Sequence, residues 1–481
     1  MSDHEITQLD ALALSEAIHA RRYGCAEVMA AHLSEIARLN PSVNAIVAMR
    51  PEEELLAEAA LCDTELAQGR SRGWMHGFPI AIKDLAEARG LRCTQGSPIF
   101  ADVVAENDAP FVARMRAAGA IFIGKTNTPE FGLGSQSFNP VFGATRNPYD
   151  HAQTAGGSSG GAAAALALRL LPVADGSDHA GSLRNPAAFN NVVGFRPGIG
   201  RVVDNVEEVF LPPLAVSGPM GRSVADVAAL LATQAGPDPR APMAIDEDPS
   251  RLRAPLARDM RGVRFGWLGD FDGHLAMEPG MLETVSRAAQ VFEEMGAIVE
   301  PATPAFDMER LFQAWRRLRH WTVGASLLPL WQNPADRARL KPEAVWEVEQ
   351  GLALSAYDIS AASAVRSAWF HVVRSLFERF DFLLLPSAQV FPFAVETRWP
   401  AEIAGRRMDT YHRWMEVVIP ATMSGCPVAA VPAGFGPRDL PAGLQIWGPW
   451  RADFATLQAA HAHEAATGWV ARRPPPAIGS R

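Results

Sequence analysis

Helical and strand patterns alternate from the start of this chain, and that alternation limits its fold more than any other feature. Across residues 10–39, Leu12, Leu14, Ile18, Val28, Met29, Leu33 and Ile36 recur near the helical period, with a break around Tyr23-Gly24. This predicts two consecutive helices. Residues 52–67 predict a third, and the short apolar run 78–82, bounded by Gly77 and Lys83, predicts a buried strand. Residues 109–118 read as a helix that leads through Gly119 into a second strand at 120–123. A polar, glycine-rich and serine-rich stretch at 146–161 then runs straight into a strong helix former at 162–171, and 172–175 reads as a further short strand. Later come an amphipathic helix at 281–295 and buried strands at 380–385, ending at Pro386, and at 428–431. Helices alternating with buried strands place the chain in the α/β class, with a sheet covered on its faces by helices.

The 481 residues would allow about three ordinary domains, but large single α/β domains reach this size. No internal repeat and no low-complexity linker divides the chain, so one domain over 1–481 is expected. The formal net charge of −9 comes from mixed acidic and basic residues without like-charge runs, which argues against a nucleic-acid or anionic-lipid partner. No stretch approaches the ~18 uncharged apolar residues of a membrane span, and the first residues lack a signal-peptide pattern. A cytoplasmic location is expected. Cys25, Cys62, Cys93 and Cys426 lie far apart without a C-x-x-C pair and read as small buried apolar residues.

Of 44 basic side chains only Lys83, Lys125 and Lys341 are lysine. An amine can lose its proton where a guanidinium cannot, so a lysine retained in so arginine-rich a chain marks a position where arginine does not substitute. Lys83 and Lys125 end apolar runs, whereas Lys341, beside Pro342 in a polar stretch, is expected to be solvated.

Three motifs mislead. Residues 119–126 satisfy the Walker A pattern, but the residues between Gly119 and Gly124 are apolar and strand-forming, whereas a phosphate loop must be flexible. Gly156-Gly-Ser158-Ser-Gly160 satisfies the nucleophile-elbow pattern, yet the residues at 150–155 before it are too polar for the buried strand an elbow requires. The same run would pass for a flexible linker, but it opens a helix, where amides and the helix dipole stabilise negative charge. A second glycine-serine turn, Asp175-Gly-Ser-Asp-His-Ala-Gly-Ser182-Leu-Arg184, follows closely.

Together these segments resemble the amidase signature family. Gly77-Phe-Pro-Ile-Ala-Ile-Lys83-Asp84 is similar to its lysine strand, and Gly124-Lys-Thr-Asn-Thr-Pro-Glu-Phe131 to the segment that follows. Gly156-Gly-Ser-Ser-Gly-Gly161 resembles its glycine-serine signature, and Gly176-Ser-Asp-His-Ala-Gly-Ser-Leu-Arg-Asn-Pro186 its nucleophile turn. Residues 218–226, 381–386 and 440–445 also resemble family segments. The resemblance implies the amidase signature fold, a central mixed β-sheet between layers of α-helices. Its signature core lies at about 70–235 and a variable substrate-pocket segment at about 306–420.

The resemblance further implies Ser182 as nucleophile, Ser158, preceded by a cis peptide bond, as proton relay, and Lys83 as general base, with an oxyanion held by the backbone amides of His179, Ala180, Gly181 and Ser182. The chemistry is coherent on its own terms. Fewer than about one unperturbed lysine in a thousand is neutral at pH 7, so a basic lysine must be desolvated. No metal and no organic cofactor is required. Asp178 and Arg184 are expected to brace the turn, and Lys125 to position neighbouring chain. His179-Ala180, Asn185 and Asn190-Asn191 depart from the commoner family pattern, which leaves substrate preference open. His179 is expected to pack beside the turn, with contact to a leaving group as the alternative.

The segment 306–420 holds Trp315, Trp321, Trp331, Trp346, Trp369, Trp399 and Trp414, seven of the twelve tryptophans. Most are expected in the core and about two at an apolar, aromatic-lined pocket. A bulky or aryl amide, or a carbamate (urethane), fits such a pocket, with ester cleavage as a side activity. The alternatives are the glutamine-hydrolysing A subunit of a tRNA-dependent amidotransferase, which needs a partner subunit, and a catalytically silent binding protein on the same scaffold. A homodimer is compatible with the sequence.

Overall fold

The computed structural model describes residues 3–211 and 214–479. The two expected N-terminal helices are Ala11–His19 and Cys25–Val43. The second begins at Gly24, and its first amides, Cys25 N–H and Ala26 N–H, donate to the Asp63 carboxylate at 2.6 and 3.0 Å. Asp63 thus caps it from within the third helix, Glu52–Ala67, which matches its sequence reading.

Two separate sheets frame the site, and two short two-stranded pairs, Phe138–Asn139 with Gly143–Ala144 and Glu402–Ile403 with Arg406–Arg407, complete the strands of the described residues. The larger has eight strands in the order Ile298–Pro301, Arg264–Trp267, Phe382–Pro386, Pro441–Trp447, Val428–Phe435, Val193–Arg196, Val216–Gly221, Ala174–Asp178. The first three are mutually parallel and every later pairing is antiparallel, so the sheet is mixed. The smaller sheet holds Ile46–Val47, Ile121–Thr126 and Pro79–Lys83, the last two parallel with Lys83 opposite Thr126. The lysine strand therefore lies outside the main sheet. It is joined to that sheet's edge where Lys83 N–H donates to Asp175 Oδ1 at 3.0 Å.

The Gly-Ser run opens the wholly buried helix Gly160–Ala167. At Gly161 a Cβ would meet Asn127 N at 2.3 Å and Ala45 O at 2.6 Å, so only glycine lets this helix seat against the smaller sheet. The helix stops four residues before its sequence reading because Arg169 adopts a left-handed φ of 59°. Leu170 N–H then bonds Ala165 O at 2.8 Å and Arg169 N–H bonds Leu166 O at 3.0 Å, a Schellman ending. The chain emerges into Ala174–Asp178, a strand two residues later than expected.

The tryptophan-rich segment folds largely as helices: Met308–Gln332, Pro334–Arg337, Pro342–Leu352 and Ala356–Leu376. Asp307 and Ser355 cap the first and last of these, accepting from Arg310 N–H and Asp358 N–H. Trp315, Trp369 and Trp414 are fully buried and build an apolar cluster with Leu311, Val373, Leu385 and Val418. A larger cluster joins the N-terminal helices to both sheets. All four cysteines are buried and free. Among the described residues no helix is long and apolar enough to cross a membrane.

Candidate active site

Lys83 ends its strand with the side chain buried between the Gly-Ser loop and the main-sheet edge. Its Nζ lies 2.8 Å from Ser158 Oγ, 2.8 Å from Ser159 Oγ and 3.0 Å from Ser177 Oγ, with the Ser177 carbonyl at 3.3 Å. Hydroxyls either donate or accept, so this cage serves a neutral amine as well as an ammonium. Burial draws the Lys83 pKa down to about 7, against the opposing pull of Asp175 and Asp178. Burial also raises Asp175, to about 6, although the Lys83 backbone N–H bonds it. The Gly157–Ser158 peptide bond is cis, as the family resemblance implies.

Ser159 and Ser177 are absent from the sequence reading. Strand alternation supplies the signal for Ser177, because within Ala174–Asp178 it puts Ser177 on the same face as Asp175, toward Lys83. Nothing in the sequence separates Ser159 from Ser158.

The second turn is built around Asp178. Its carboxylate accepts from Gly181 N–H at 2.8 Å, Leu183 N–H at 3.2 Å, Arg184 Nε and Nη2 at 3.0 Å each, and Arg196 Nη1 at 3.0 Å. Burial would raise its pKa, but the two guanidiniums outweigh that and hold it well below the usual carboxylate range. Arg184, also fully buried, spends its remaining donors on Val418 O, Gln445 Oε1 and Thr422 Oγ1. Asp178 and Arg184 therefore brace the turn, as expected.

Gly181 has a φ of 88°, and a Cβ there would lie 2.1 Å from Asn185 Oδ1, so the turn requires glycine. Ser182 follows, 7% exposed, and its carbonyl accepts from Ser159 N–H at 3.2 Å, which locks the two glycine-serine turns together. Among the described residues Ser182 Oγ has no hydrogen-bond partner. Of the four amides expected to face an oxyanion, that of Gly181 is committed to Asp178, whereas those of Ala180 and Ser182 have no acceptor among the described residues.

The positions that depart from the commoner pattern serve as fasteners. Asn190 Nδ2 donates to Ala155 O and Pro186 O, both at 2.7 Å, and Asn185 Nδ2 to Ser387 O at 2.9 Å. Asn191 ties this region to the C-terminal segment through Trp469 O and Arg473 O. Lys125 is buried and donates to Ala86 O at 2.5 Å, so it positions neighbouring chain. Lys341 overturns its reading: the side chain is 10% exposed and its Nζ donates to Leu133 O at 2.8 Å, beside Glu343. Burial lowers its pKa to about 8. Its polar sequence neighbours gave no sign of a partner 208 residues away.

Two cavities flank the strand that leads into the Ser182 turn. One, of about 1010 Å³, is lined by Lys83, Asp175 and Ser177; the other, of about 420 Å³, by His179, aliphatic residues such as Val202, Leu214 and Val216, and Thr322, Val323 and Ser326 of the variable segment. They share Asp204, Asn205 and Ala215 in their walls. Among the described residues no tryptophan lines either one. Trp346 and Trp399 instead face a third cavity, of about 360 Å³, with Tyr411.

Among the described residues two groups have metal-ligand proximity, Cys62-Glu65-His76 and His274-Glu309-Glu416, but internal partners occupy them. Both ring nitrogens of His76 are bonded to backbone and Arg72 holds Glu65, while Arg413 pairs with Glu309 and Glu416.

Fold and site together define an α/β protein with a buried amine caged by serine hydroxyls at the edge of a mixed sheet. Residues 27–457 match the family model described as Amidase. An acylamidase of Rhodococcus erythropolis is 32% identical, over 98% of this chain and 98% of the relative. One subunit of the glutamyl-tRNA(Gln) amidotransferase of Methylococcus capsulatus is also 32% identical, over 96% of this chain and 97% of the relative. Among solved structures, a bacterial aryl acylamidase of the amidase signature family superimposes with a TM-score of 0.91 at 30% identity, over 98% of this chain and 100% of that one. The chain belongs to the amidase signature family, whose members are hydrolases of amide bonds.

Proposed function

We propose that this amidase cleaves its substrate through an acyl-enzyme on Ser182, with Ser158 relaying protons to and from Lys83. The observation that carries the reading is the Lys83 amine, buried 2.8 Å from the Ser158 hydroxyl with a pKa drawn down to about 7. Ser182 Oγ attacks the carbonyl carbon, its proton passing to Ser158 as Ser158 gives its own to Lys83. The protonated lysine returns a proton through Ser158 to the leaving nitrogen as the C–N bond breaks. Water then adds to the acyl-enzyme along the same relay, releasing the carboxylic acid. The peptide N–H groups of His179, Ala180 and Ser182 hold the oxyanion, each such donor contributing roughly 3 to 4 kcal/mol in comparable sites.

We read the substrate as an uncharged, apolar amide, an aryl amide or the related carbamate. Aliphatic walls in the cavity beside His179, without lysine or arginine among its lining residues, support this. The named activities of the acylamidase relatives agree with it. The free buried cysteines fit a reducing compartment, in keeping with action in the cytoplasm. Similarity to a component of an amidotransferase keeps glutamine as the second reading. Glutamine, however, would bring its α-carboxylate to a cavity whose charged lining residues are Asp204 and Glu208. The purified chain alone, assayed on a panel of anilides, carbamates and glutamine, is expected to favour at least one anilide or carbamate over glutamine by kcat/KM. Glutamine turnover at least as efficient as every anilide and carbamate would overturn the substrate reading.

A further inference from the structure

His179 stands three residues before Ser182, on the wall of the cavity of about 420 Å³. Its Nε2 is buried without a hydrogen-bond partner. Such a nitrogen is costly to leave bare. The Trp315 ring meets the imidazole edge-on at 6.3 Å between centroids. Arg196 grips the backbone on both sides of the site, bonding Asp178 O and, at 2.8 Å, Leu214 O. Burial, aided by Arg319 against the opposing Glu347, lowers the His179 pKa well below its ordinary value. The ring is therefore neutral at neutral pH, with one nitrogen to donate and one to accept. The remaining wall is apolar apart from Asn205, Thr322, Ser326 and the acidic Asp204 and Glu208.

We infer that this cavity is the subsite for an uncharged apolar group of the substrate, and that His179 selects that group by a hydrogen bond to a polar atom it carries. A group without such an atom leaves the imidazole unpaired, and a carboxylate meets Asp204 and Glu208 with no cation in the cavity wall among the described residues. The inference rests on the amidase reading only in taking the cavity as substrate space, so it is tested by binding rather than turnover.

The protein for the test is Ser182→Ala, titrated calorimetrically with benzanilides carrying a para acetyl, isopropyl or carboxylate group. One series bears the substituent on the amine ring and the other on the acyl ring, so either orientation in the cleft is covered. In one series the acetyl compound should bind about 10-fold more tightly than its isopropyl isostere, as one well-made hydrogen bond provides, and the carboxylate more weakly than the acetyl compound. Adding His179→Phe, which keeps an aromatic ring against Trp315, should erase the acetyl preference while leaving isopropyl affinity within about 2-fold. His179→Gln, which keeps a donor and an acceptor, should retain part of it. Absence of an acetyl preference in both series overturns the inference, and this is read on the parent protein whatever the fate of the His179 variants. A preference that survives His179→Phe overturns it equally. Hydrolysis of the benzanilides by Ser182→Ala would instead contradict the nucleophile assignment and leave the subsite untouched.

Discussion

In the proposed mechanism Lys83 concentrates the proton transfers in one nitrogen. Its amine has left water for a cage of three hydroxyls, which bond the neutral form, and burial brings its pKa to about 7. Only the neutral amine accepts a proton, so kcat/KM should rise with pH through about 7 and flatten above it. A profile flat from pH 5 to 9 would contradict a titrating lysine. Lys83→Arg keeps the charge and loses the base, so kcat should fall by at least about 10²-fold, whereas a folded Lys125→Arg should retain far more activity. A well-folded Lys83→Arg protein with near-native kcat would remove Lys83 from the mechanism.

The same burial has a consequence for stability. The pKa is about 7 in the folded chain and near the ordinary value of 10.5 in the unfolded one, so between those values the unfolded chain binds more protons. The Lys83 contribution to stability therefore rises with pH across that window and is least favourable below about 7. Lys83→Met, which lacks this dependence, should gain most over the wild type at pH 7, with the difference shrinking toward pH 10 in denaturant titrations. A difference that grows toward pH 10 would contradict the burial argument. At this scale the sequence was legible where apolar neighbours announce a buried amine, at Lys83 and Lys125. It was not legible at Lys341, whose carbonyl partner comes from a remote segment.

At the scale of elements, the strand Ala174–Asp178 and the turn after it divide the work by alternation. Asp175 and Ser177 face Lys83, and Asp178 turns to the other side to anchor Gly181, Leu183, Arg184 and Arg196. Asp178→Ala would leave two buried guanidiniums without their shared anion and should destabilise the protein by about 3 to 5 kcal/mol, measured by urea unfolding. A loss under about 1 kcal/mol would show that the remaining partners of Arg184 and Arg196 suffice to hold the turn. The glycine-serine run was readable as a helix opening because an alanine-rich segment follows it. The strand was read two residues early because Gly176-Ser-Asp looks like turn sequence. Its polar side chains tolerate burial because Lys83 bonds Asp175 and Ser177 while Arg184 and Arg196 bond Asp178, and of these partners Lys83 is distant in sequence.

For the whole molecule, alternation of pattern was enough to reach an α/β fold, since each helix and strand announces its own period. It could not show that the lysine strand belongs to a separate three-stranded sheet, nor that Phe382–Pro386 inserts between Arg264–Trp267 and Pro441–Trp447. Strand order is decided by contacts between distant segments, and the period of a strand carries no record of its neighbour. The tryptophans of the variable segment lie largely in the core, as expected, and Trp346 and Trp399 face a cavity of their own. Their density measures apolar burial, which the helical layer uses for its own core at Trp315, Trp369 and Trp414, while the cavity beside the nucleophile turn is walled by aliphatic residues. What the fold accomplishes is to press two neighbouring glycine-serine turns onto one buried amine supplied by a remote strand. The central claim is that the acyl group then passes through Ser182. Acid quenching of the enzyme during steady turnover of an anilide, followed by peptide mass spectrometry, tests it most directly: the acyl mass should be found on Ser182, and its appearance instead on Ser158 or Ser159, or on no residue while turnover proceeds, would contradict the account.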